Sequence, residues 1–110
     1  MGVHTHGRML ALAAAAALVL SSTALADTAI ATRWRPLGEA QGDCMAHAQM
    51  AIFRAGFDKS EPGSQSMSGK HGDYTASIRC VAEQRIVFFV TSGPSPETTS
   101  QYLDVLFGHF

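Results

Sequence analysis

This chain has little charge to act with. Charged residues make up 15% of its 110 residues, aromatics 8%, and the formal net charge is −1. A balance so close to neutral excludes the broad basic footprint of a nucleic-acid or anionic-membrane binder. The usual catalytic signatures are absent too. There is no Cys-x-x-Cys, no His-Glu-x-x-His and no Gly-x-Ser-x-Gly, so the common redox, zinc-hydrolase and serine-nucleophile arrangements have no sequence basis. Gly69-x-x-Gly72 is too short to be a phosphate-cradling loop. The longest apolar run, over residues 9–20, falls short of the roughly 20 residues a spanning helix needs.

That run has another reading. It follows a short segment carrying Arg8 and precedes Ser21-Ser22-Thr23-Ala24-Leu25-Ala26, whose last three residues fit the small-x-small cleavage pattern. Residues 1–26 are therefore expected to be a cleaved signal peptide of bacterial type. Residues 27–110 remain, enough for a single small domain. His4 and His6 leave with the signal. The expected destination is the periplasm or the medium, with no membrane attachment after cleavage.

Two cysteines remain, and each falls in a readable element. Asp43 to Phe57 has helical spacing. At about 100° per residue, Cys44, Met45, Ala48, Ala51, Ile52 and Ala55 form one apolar stripe. Asp43 is the expected N-cap and Gly56 the expected left-handed stop. In Tyr74 to Glu83, parity puts Tyr74, Ala76, Ile78, Cys80 and Ala82 on one face, the pattern of a half-buried strand. Both cysteines thus face a core, and an oxidising compartment favours joining them. We expect a Cys44–Cys80 disulfide pinning helix to sheet. Loop closure would contribute on the order of 4 kcal/mol.

The rest completes two layers. Thr28 to Arg35 reads as a strand with Ile30, Thr32 and Trp34 on one face and Arg33 and Arg35 on the other. Gln65 to Ser68 reads as a short polar edge strand between Gly- and Pro-rich turns. Arg85 to Thr91 pairs with the Cys80 strand as a hairpin turning near residues 82–85. Ser95-Pro96-Glu97 opens a last helix, with Ser95 the N-cap. The expected fold is α+β: a two-layer sandwich of a mostly antiparallel, three- to four-stranded sheet with two helices on one face, in the order β-α-β-β-β-α. That element order loosely resembles ferredoxin-like domains, without their final strand.

Two surfaces and one residue pair invite a functional reading. If the helices cover one sheet face, the other is expected to present Arg33, Arg35, Arg79, Val87 and Phe89. Uncovered apolar area beside arginines is partner-surface composition. This predicts a non-enzymatic binding or accessory domain for a protein or small ligand, with a homodimer as one form. The alternative is copper binding by His47, Met50, His71 and His109, since imidazole and thioether suit that metal. Cys44 and His47 lie one helical turn apart, the spacing of an activated thiol, but the disulfide would remove that nucleophile.

Overall fold

The structure, a computed structural model, describes residues 28–110; the expected signal peptide lies outside the described residues. Strand β1 (Ala29–Pro36) leads into helix α1 (Gln41–Arg54). Four strands follow: β2 (Asp58–Pro62), β3 (Ser66–His71), β4 (Tyr74–Val81) and, after a 3₁₀ turn (Ala82–Gln84), β5 (Ile86–Gly93). Helix α2 (Pro96–His109) closes the chain's described part. The sheet order is β1-β5-β4-β3-β2 with every neighbouring pair antiparallel. The α+β architecture is as expected, with one strand more. Residues 58–62, read as turn-rich, form an outer strand, so β3 is longer than expected and lies inside the sheet.

The topology follows from one long connection and a meander. Alternation across the order gives β1 and β2 the same direction at opposite edges of the sheet. Helix α1 carries the chain from one edge to the other, and β3, β4 and β5 step back to fill the gap. The turns use the residues their geometry demands. Gly56 has φ +89° and lets the Phe57 amide reach back to the Ile52 carbonyl at 3.1 Å, the bond that closes a helix end. Gly72 has φ +57° in the two-residue link between His71 and Tyr74, which face each other across the hairpin.

The helix starts differ. For α2, Ser95 caps as expected: its Oγ accepts from the Thr98 amide at 3.3 Å, with Pro96 following. For α1 the cap is Ala40, not Asp43, which sits inside the first turn. Gln41 supplies the polar anchor instead. Its side-chain amide donates to the Cys80 carbonyl at 2.7 Å and its oxygen accepts from the Ala82 amide at 2.9 Å. One side chain thus ties the beginning of α1 to the end of β4.

The same two elements carry the disulfide. Cys44 and Cys80 are bonded, 36 residues apart in sequence, with Cα atoms separated by 6.1 Å. Both are fully buried, among Ala48, Ala51, Ile52, Ile78, Val87, Phe89 and Leu106. All of this core lies between the helices and one sheet face. Gly69 admits the end of α1 against β3: a Cβ there would stand 2.7 Å from Ile52 Cγ2. No helix among the described residues is long and apolar enough to cross a membrane.

Candidate binding surface

Opposed residues in an antiparallel ladder share a face, so the registers generate both faces row by row. Cys80 is opposite Val87, Ile78 opposite Phe89 and Ala76 opposite Thr91. Across the next ladder Val87 meets Arg35, Phe89 meets Arg33 and Thr91 meets Ala31. These rows lie under the helices. The alternate rows make the open face. Trp34, Phe88, Arg79 and Ser66 form one row; Thr32, Val90, Ser77 and Ser68 the next; Ile30, Ser92, Thr75 and Lys70 the third.

That face is chemically graded. Its β1–β5 half carries Ile30 (69% exposed), Trp34 (59%) and Phe88 (38%), with half-buried Ile86 and Val90 beside them. Its β4–β3 half carries serine, threonine, Arg79 and Lys70. Arg79 donates to Gln65 Oε1 at 3.0 Å, which holds its charge at the margin of the apolar strip. Trp34 is the chain's single tryptophan. Large exposed aromatics grouped beside an arginine have the composition of interface centres.

Four of the five residues expected on this surface are elsewhere. Val87 and Phe89 are fully buried beneath the helices. Arg33 and Arg35 extend from β1 on the covered side, over the aromatic end of α2. The Arg35 guanidinium lies 4.7 Å from the Phe110 ring centre, 5.2 Å from Phe107 and 5.8 Å from Phe89. Arg33 lies 4.7 Å from Phe107 and pairs with Asp104 at 3.0 Å. Edge position explains this: at the rim of the covered side the guanidinium groups themselves stack over the aromatic rings while keeping contact with water. Arg79 alone of the five is on the open face.

The residues missed were Ile30, Trp34, Phe88 and Val90. For β5 a signal existed. Both of its parities are apolar, but the turn at 82–85 sets Val81 opposite Ile86 and therefore Cys80 opposite Val87. Once Cys80 faces the helix that holds Cys44, Val87 and Phe89 must face it as well, and Phe88 must not. For β1 there was no such signal, because its partner is distant in sequence and its more apolar parity is the exposed one.

Of the copper-site residues, His47 and His71 are apart. Nδ1 of His47 lies 2.8 Å from a Glu39 carboxylate oxygen, and its ring meets Phe110 edge-on. His71 lies beyond the far end of α1, with Nδ1 3.1 Å from the Gly56 carbonyl and its ring against Phe57 and Tyr102. At about 1.5 Å per helical residue, His47 and Gly56 are separated by roughly 13 Å. Met50 is exposed on α1 and His109 ends α2. Among the described residues, no group of three His, Cys, Asp or Glu side chains is placed to hold a metal. With Cys44 oxidised, His47 has no thiol to activate. A shallow hollow of about 540 Å³ lies beside His47, lined by Arg35, Leu37, Glu39 and Phe110.

No protein-family model matches the chain, and no curated protein matches it.

Proposed function

We propose that this protein is an exported, non-enzymatic binding domain that recognises a protein or ligand through the open face of its sheet. The observation that carries the reading is Trp34 directly opposite Phe88, both exposed and flanked by Arg79, with Ile30 exposed four residues along the same face of β1. Such side chains cost least when a partner removes them from water. A fitting partner offers apolar side chains to the β1–β5 half and an acidic or hydrogen-bonding group to Arg79 and the neighbouring hydroxyls.

Export is supported from two sides. The layout of residues 1–26 is that of a signal peptide, and a buried disulfide suits an oxidising compartment. The periplasm or the medium is the proposed site of action.

The test is site-specific cross-linking in the producing cell. A photo-reactive residue replaces Phe88 on the open face or Gln101 on the exposed side of α2. The expected result is one discrete adduct from position 88 and none from position 101, abolished by Trp34→Asp. Equal labelling from both positions, or none from either, removes the sheet-face reading.

A further inference from the structure

The two edges of the sheet are built differently. At one edge, β2 has five residues, a register shift between Asp58 and Glu61, and Pro62 at its end. A short, irregular, charged, proline-ended strand is how natural sheets prevent further pairing. At the other edge, β1 runs eight residues in unbroken register with β5, and its only proline is its last residue. Nothing among the described residues pairs with its outer side. Its arginines do not guard that side, because both turn onto the rings of α2. Ile30, Thr32 and Trp34 are all exposed along it. Unpaired N–H and C=O groups on such a strand are a template for another strand.

We propose that the strand which pairs there is β1 of a second copy, antiparallel, about a twofold axis at Thr32. Self-complementarity selects this occupant and this register. Only alignments that keep both copies' helices on the same side are compatible with the pleat, so the register changes in steps of two. With Thr32 opposite Thr32 of the second copy, Trp34 faces the second copy's Ile30, Arg33 faces its Ala31, and Arg35 its Ala29. An aromatic–β-branched pair then recurs on both sides of the axis, and opposite residues of that kind stabilise a ladder. One step one way sets Arg33 against itself, a like-charge contact. One step the other way leaves Trp34 opposite Thr28. The chosen register joins the two sheets into one and brings the two apolar strips together at its centre. It goes beyond the sheet-face reading and does not rest on it.

The experiment uses the disulfide-bonded mature protein and its Thr32 variants, with mass read by sedimentation from micromolar to millimolar concentration. Because Thr32 faces itself, Thr32→Lys alone and Thr32→Glu alone should both be monomers, and an equimolar mixture should regain the dimer mass. Thr32→Cys should form an intermolecular disulfide, since opposed strand residues lie about 4.5–5.5 Å apart at Cα; Gln101→Cys should not. A wild-type protein that stays monomeric throughout overturns the proposal. So does a dimer that persists in Thr32→Lys, which would place the interface on another surface. All these variants keep Trp34, Phe88 and Arg79, so failure here leaves the cross-linking test of the open face standing.

Discussion

Phe88 and Phe89 are the same residue type, adjacent in one strand, and live in different solvents. Phe89 is fully buried, with its ring 5.0 Å from Phe107 and 5.2 Å from Phe110. Phe88 lies on the other face beside Trp34 and Arg79, partly in water. The contrast extends to whole faces: one is closed by two helices and a disulfide, the other by nothing described. Hydropathy does not distinguish them, since Ile86, Phe88 and Val90 are as apolar as Val87, Phe89 and Thr91. What separates the faces is register, fixed by the turn before β5 and by the side on which Cys80 meets Cys44. An apolar strand with two equivalent sides has its buried side chosen by its neighbours.

The sharpest way to break the comparison is to truncate both rings. Phe89→Ala should destabilise by about 3–5 kcal/mol, as for a buried aromatic that leaves a cavity. Phe88→Ala should cost below about 1 kcal/mol, within the range of surface substitutions that disturb no packing. Chemical denaturation of the two variants measures both. Similar losses would mean that the open face is covered in the isolated protein, and the partner surface would have to be sought elsewhere.

The disulfide belongs to the covered face, and its removal asks how far that face can hold without a staple. Cys44→Ala with Cys80→Ala should lower stability by on the order of 4 kcal/mol, less any strain released. Against a usual total of about 5–15 kcal/mol, that leaves a marginal domain. Thermal unfolding of the double variant is the measurement, with reduced wild type as its control. An unchanged midpoint would show that Gln41 and the helix–sheet packing suffice to seat α1.

Legibility in the sequence followed the range of the interactions. Local chemistry was readable: the Cys44 stripe, the Gly56 stop, the Ser95 cap and the 82–85 turn all occur where the residue types require them. The disulfide was readable because both cysteines sit on buried faces of recognisable elements. Residues 58–62 hid as a strand because Asp58, Lys59, Glu61 and Pro62 are the composition of a protected edge, which resembles a loop. The open sheet face was assigned the right parity on β4, at Arg79, and the wrong one on β1 and β5. Arg33 and Arg35 look like open-face residues until the rings of Phe107 and Phe110, far away in sequence, are brought beneath them. No local pattern announces that contact.

Those arginines provide the smallest expected effects and the finest division between the faces. Arg35 is half-buried over three rings, whereas Arg33 is exposed and its Asp104 partner is more exposed still, at 44% and 66% of the two side chains. An ion pair in water contributes about 0–1 kcal/mol and weakens with salt. A stacked guanidinium contributes about 0.5–1 kcal/mol, with packing of its stem in addition. Arg35→Ala should therefore cost roughly 1 kcal/mol, largely independent of ionic strength, and Arg33→Ala less, with part of its loss vanishing in high salt. Arg35→Lys should restore little, because an ammonium lacks the planar group that lies against Phe107 and Phe110. Denaturation of the three variants at low and high salt decides the matter. If Arg35→Ala were neutral and Arg35→Lys fully wild type, the stack would contribute nothing, and the arginines would be as free to meet a partner as Arg79.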